Sequence, residues 1–108
     1  MTTYAQLNIG RNIGDEPMDL GKWHEFIEDA ATALVYAAYG DNTDTLKRTV
    51  EVHTGLGRYI GDDGHIVVED SAHVSLFCPE KFDLEYLEHR ARKLESRYSQ
   101  DMVAVIHN

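Results

Sequence analysis

Three side chains in this 108-residue sequence have the types and spacing for metal chemistry: His53, His73 and Glu51. Two alternating stretches flank the turn Asp62-Asp63-Gly64, and an antiparallel pairing across a three-residue loop sets His53 opposite His73. Their Cβ atoms would then lie ~4.5–5.5 Å apart, with Glu51 on the same face opposite Ser75. Two imidazoles and a carboxylate on one surface form a zinc-type donor set. A bulge at Gly55-Leu56-Gly57 would slip the register by one and separate the rings. The first reading is a pair of surface histidines, one of them pH-sensitive, and the zinc set is the second. His24, His65, His89 and His107 are too scattered to add to it.

Other chemistry finds less support. Gly55-Leu56-Gly57-Arg58-Tyr59-Ile60-Gly61 imitates a phosphate-binding glycine loop, but such a loop must follow a strand and open a helix. Here it leads into a hairpin tip, where Asp62, Asp63 and Glu69 would repel phosphate. Cys78, the one cysteine, falls on the apolar parity of its strand and reads as a core thiol. Ser71 lacks a nucleophile elbow. Glu69 and Asp70 are sequence neighbours that a strand points to opposite faces, so they do not flank a substrate. Trp23 lies on an apolar helical stripe. The expectation is a protein that is not an enzyme and carries no cofactor.

The elements that would position these residues follow from the period of the apolar pattern. Ala5, Leu7 and Ile9 alternate with Tyr4, Gln6 and Asn8, as in a half-buried strand. Gly10 to Pro17 is a loop. Asp19 caps a helix running to Tyr39, with Leu20, Trp23, Ile27, Ala30, Leu34 and Ala38 on one stripe and Gly40 as its stop. A strand over 46–54 and a return strand ending at Cys78 form a hairpin tipped by Asp63-Gly64. Asp83 caps a second helix to Ser99, with Leu84, Leu87, Ala91, Leu94 and Tyr98 inward, and 102–106 is a last strand. The order βαββαβ predicts an α+β, ferredoxin-like split β-α-β domain over residues 1–108: a four-stranded antiparallel sheet with both helices on one face.

That architecture leaves the other sheet face open. Tyr4, Gln6, His73 and Phe77 lie on it and are the candidates for self-association as a homodimer, because aromatic residues dominate interface energetics. The formal charge is −9, which argues against nucleic acid and anionic membranes as partners. Residues 1–82 hold 6 basic and 14 acidic side chains, and residues 83–108 hold 4 and 5. Asp15, Glu16, Glu25, Glu28 and Asp29 cluster around the first helix, and Asp62 and Asp63 around the hairpin. Such a surface steers a protein toward a basic partner. No apolar run approaches the ~18 residues of a membrane span, and the N-terminus has neither the basic start nor the apolar stretch of a signal peptide. Cytoplasmic location is the expectation.

The runs Asn8-Ile9-Gly10-Arg11-Asn12-Ile13-Gly14-Asp15-Glu16-Pro17-Met18 and Glu51-Val52-His53-Thr54-Gly55-Leu56-Gly57, with Glu69-Asp70-Ser71-Ala72-His73, resemble small proteins of bacteriophages that infect actinobacteria. The resemblance implies a product made in the host cytoplasm that engages a host protein, and it carries no functional residues. The sequence thus reads first as a non-catalytic, acidic protein-binding module that modulates or inhibits a host or defence factor with a basic surface. The second reading is a metal-binding or enzymatic domain using His53, His73 and Glu51. The third is a dimeric small-ligand sensor.

Overall fold

The computed structural model describes residues 3–14, 16–40, 50–61, 63–78, 81–100 and 103–108. The elements are β1 (Thr3–Gly10), β2 (Asn12–Ile13), β3 (Glu16–Pro17), α1 (Leu20–Tyr39), β4 (Glu51–Ile60), β5 (Ile66–Cys78), α2 (Leu84–Tyr98) and β6 (Ala104–His107). Four of the strands make one antiparallel sheet in the order β4-β5-β1-β6, and β2 and β3 make a separate two-stranded ladder. This is the ferredoxin-like α+β arrangement expected from the alternation.

Period-two patterning explains the layers. Ala5, Leu7 and Ile9 of β1 pair with Leu76, Val74 and Ala72 of β5, and all six are buried under the helices. From above, α1 supplies Trp23, Phe26, Ala30 and Leu34, and α2 supplies Leu87, Ala91, Leu94 and Tyr98. Phe26 and Tyr98 stack with ring centroids 4.3 Å apart. Asp19 and Asp83 cap the helices as expected, accepting from Lys22 N at 2.9 Å and Tyr86 N at 3.0 Å. Each such cap is worth ~1 kcal/mol.

Two expectations change. The strand does not bulge at Gly55–Gly57: pairing with β5 runs unbroken from Glu51↔Ser75 to Ile60↔Ile66. The loop after β1 is also more ordered than expected, because it folds back as the β2–β3 ladder with Gly14 at its tip in the left-handed region (φ 62°), a conformation glycine adopts without strain. The part of the expected strand over 46–49 and the start of the last strand at 102 lie outside the described residues.

The β4–β5 hairpin outruns the helices. At about 3.3 Å per residue the 13 residues of β5 reach about 40 Å, whereas the 20 residues of α1 span about 30 Å. The far part of the hairpin is therefore an uncovered arm. Leu56, Ile60, Ile66 and Val68 keep the parity of the buried Ala72 and Val74 but stay exposed, Leu56 at 70% and Ile60 at 75%.

Candidate functional site

The junction of β1, the β2–β3 loop and the arm holds a polar network built on Arg11, Asn12, Glu69 and Asp70. β5 sends Asp70 to the helix side and Glu69 to the outer side, and the loop grips both. Arg11 Nη1 donates to Asp70 Oδ2 at 2.8 Å, and its Nε donates to the Met18 carbonyl at 2.9 Å. Asn12 N–H donates to Glu69 Oε2 at 3.0 Å. Backbone bonds from Arg11 N to Asp70 O (2.9 Å) and from Met18 N to Arg11 O (3.0 Å) complete the clamp. Gln100 after α2 reaches the Asn12 carbonyl at 2.7 Å.

Above this clamp, between the first turns of α1 and the edge strand β4, lies a cleft of about 400 Å³. That falls within the ~300–1,000 Å³ of small-molecule sites. Leu20, Trp23, Ile27 and Leu56 form an apolar wall, and Arg11, Asp70, His24, Thr54 and the Gly55 backbone form the polar one. The ion pair is partly sheltered, with Arg11 and Asp70 side chains 22% and 45% exposed. An apolar aromatic wall facing a sheltered pair of opposite charges suits a small molecule that carries both a hydrophobic ring system and charged groups. A second cavity of about 200 Å³ lies at the other end of the sheet, between Tyr4, Phe82, Leu84 and His107.

The residues singled out from the sequence lie elsewhere. His53 and His73 are direct cross-strand partners, and His53 Nε2 sits 3.5 Å from Glu51 Oε2 on the exposed outer face. Among the described residues no three His, Cys, Asp or Glu side chains are disposed to hold a metal ion, so these three do not form a ligand set. Tyr4 and Phe77 meet across strands with centroids 4.8 Å apart. Tyr4 OH donates to Gln6 Oε1, so Tyr4, Gln6, His73 and Phe77 do share the open face. Of the acidic residues, Glu25 and Asp29 are engaged internally. Arg97 pairs with both, and Tyr98 OH donates to Asp29 Oδ2 at 2.5 Å. Burial, then the Asp29 hydrogen bond and charge, push the Tyr98 phenol well above its ordinary range. Asp63 accepts from His65 N–H at 3.0 Å, which holds its carboxyl below the usual carboxylate range. Glu16 and Glu28 are exposed, and Asp15 and Asp62 lie outside the described residues.

Sequence reasoning missed Arg11, Thr54 and Leu56 and dismissed Asp70. One signal was available: Asp70 sits on the parity of Ala72, Val74 and Leu76, a carboxylate in an otherwise apolar row.

Fold and cleft together define a ferredoxin-like α+β domain with a cleft of about 400 Å³ beside its edge strand. Two solved structures share that fold over nearly the whole chain. One is a phage SAM lyase in complex with S-methyl-5'-thioadenosine, with TM-score 0.66 and 18% identity, covering 99% of this chain and 80% of that one. The other is a phage SAM lyase in the apo state, with TM-score 0.63 and 17% identity, covering 98% and 78%. No family model matches the sequence, and no curated protein does. At these identities the likeness is one of fold. Both neighbours are nevertheless structures of an enzyme, and this overturns the expectation of a non-catalytic binding module or inhibitor, and with it the expectation that the protein is no enzyme. Among the described residues no helix is long and apolar enough to cross a membrane.

Proposed function

We propose that this protein is an enzyme that cleaves S-adenosylmethionine in the cleft between α1 and the β4–β5 arm, releasing S-methyl-5'-thioadenosine. The observation that carries this reading is the cleft itself, where a tryptophan-bearing apolar wall faces the Asp70 carboxylate. Support comes from the fold shared with a SAM lyase.

The substrate's chemistry explains why no conventional constellation of acid, base and nucleophile is needed. The sulfonium is a leaving group already in place. When its bond to the four-carbon amino-acid fragment breaks, the electron pair goes to sulfur, which departs as a neutral thioether without an acid to protonate it. In a lyase reaction no water is added. The fragment balances its charge by closing its own carboxylate onto the carbon that lost sulfur, which forms a lactone and calls for no proton acceptor. The protein's part is to hold one conformation and to exclude water.

Charge decides which wall does what. Positive charge on sulfur fades as the bond breaks, so a carboxylate near it binds the ground state at least as well as the transition state. Asp70 therefore serves binding, not acceleration. Leu20, Trp23, Ile27 and Leu56 act in the opposite sense: removing the sulfonium from water favours the state in which its charge is dispersed. The net charge of −9 raises the local concentration of a cationic substrate. S-adenosylmethionine is an intracellular metabolite, in keeping with a cytoplasmic place of action.

The test is incubation of the purified protein with S-adenosylmethionine, with chromatographic detection of S-methyl-5'-thioadenosine. The expected result is catalytic turnover whose KM for S-adenosylmethionine is raised by Asp70→Asn. A protein that neither releases this product nor binds S-adenosylmethionine by calorimetry would sink the reading.

A further inference from the structure

We infer that Arg11 recognises the carboxylate of the substrate's amino-acid end, so that the site takes sulfonium nucleosides carrying an intact α-amino acid and discriminates against their decarboxylated forms. This rests on the cleft reading above and extends it to a substrate class.

Arg11 is one of only 10 basic side chains against 19 acidic ones, and it is the sole arginine or lysine on the cleft wall among the described residues. A guanidinium carries five N–H donors. The bonds described here use two, one to Met18 O and one to Asp70 Oδ2, so donors remain for a ligand. The guanidinium is also held in place. Nε is fixed to the loop it supports, and Arg11 N–H is fixed to the backbone of Asp70, so little side-chain entropy is lost when a carboxylate arrives. With Asp70 at 2.8 Å, the wall presents a cation and an anion side by side. That is the complement of an amino-acid head, whose carboxylate and cationic groups are also adjacent. The clamp on Met18 and Asp70 accounts for two of the donors, but a ligand of adenosine and a sulfonium alone would gain nothing from the rest, because a cation there opposes a cationic ligand.

Long-range electrostatics make the test decisive. Removing the carboxylate raises the ligand's net charge by one, so a protein of charge −9 should by its overall field bind the decarboxylated ligand more tightly. A preference for the intact ligand must therefore come from a local carboxylate-binding group, and Arg11 is the one arginine or lysine on the wall among the described residues. Initial-rate turnover of S-adenosylmethionine by wild-type protein, with its decarboxylated analogue as the competing ligand, is expected to show about tenfold or greater preference for the former, the scale of a charge-assisted bond. Arg11→Gln is expected to abolish or reverse that preference, and Arg11→Lys to restore part of it, with thermal melts reporting whether each variant is folded. If wild-type protein binds both ligands equally or prefers the decarboxylated one, the assignment of Arg11 falls whether or not the variants fold. It also falls if folded Arg11→Gln keeps the preference. If neither ligand binds at all, the cleft reading falls first and takes this inference with it.

Discussion

Glu69 and Asp70 are adjacent in the chain and act on opposite sides of the sheet through the same loop. Asp70 receives the Arg11 guanidinium on the helix side at 2.8 Å, and Glu69 receives the Asn12 N–H on the outer side at 3.0 Å. The pleat of β5 thus lets one dipeptide grip the chain between β1 and α1 from both faces. That loop ends at Asp19, the cap of α1, so the floor of the cleft and its helical wall are positioned together.

Asp70→Asn should separate binding from turnover. Because the sulfonium loses charge in the transition state, removing the carboxylate weakens ground-state binding more than it slows the chemical step. KM for S-adenosylmethionine is expected to rise about tenfold while kcat changes by less than about threefold, the signature of lost uniform binding. Steady-state kinetics at fixed ionic strength checks this. A large fall in kcat with KM unchanged would instead make Asp70 a participant in bond breaking.

Two glycine positions should respond in opposite ways. At Gly10 an added Cβ would lie 2.6 Å from the Glu69 carboxylate and would push it off the Asn12 N–H, so Gly10→Ala is expected to cost about 1 kcal/mol. At Gly55 an added Cβ meets nothing within 4 Å, and β4 passes through in regular pairing. Gly55→Val should therefore leave stability unchanged or raise it by about 0.5–1 kcal/mol through strand propensity. Urea melts of the two variants give the comparison, and a destabilised Gly55→Val would show that the arm is not free at this position.

Tyr98 gives the fold a pH dependence at the alkaline end. Its folded-state pKa is raised above the ordinary value near 10 by burial and by Asp29. Its contribution is thus complete below pH 10 and is lost as pH rises beyond that, because the unfolded chain ionises first. Tyr98→Phe should cost about 1 kcal/mol at neutral pH for the lost bond to Asp29, and its melting temperature should fall less steeply than that of wild type above pH 10. Parallel slopes for the two proteins would contradict this.

The core should behave as a close-packed unit. Phe26 is fully buried between Trp23 and Tyr98, so Phe26→Ala is expected to cost about 3–5 kcal/mol. Denaturant unfolding measures it, and a loss below about 1 kcal/mol would mean that the helices are only loosely seated on the sheet.

The fold was legible because each element carries its own period and its own stop. Ala5, Leu7 and Ile9 mark a strand, Trp23, Ile27 and Leu34 a helix, and Gly40 its end. Parity even placed His53 opposite His73 and sent Glu69 and Asp70 to opposite faces, as the register has them. The site was not legible, for two physical reasons. Alternation tells which face a residue occupies and nothing of what covers it, so it could not show that Leu56 and Val68 stand exposed on an arm longer than the helices. The cleft also depends on Arg11 meeting Asp70 across 59 positions, and it was set by a loop whose fold-back ladder leaves no periodic trace. The glycines at 55 and 57 suggested a bulge, whereas β4 runs straight through them.

Cys78 closes the central strand pair on its helix side, 1% exposed and set opposite Thr3 where β1 begins. As the single thiol in the sequence, it gives the protein a built-in clock for opening at that end of the sheet. An alkylating reagent can reach the sulfur only while the core opens around it, so the labelling rate measures how often it does.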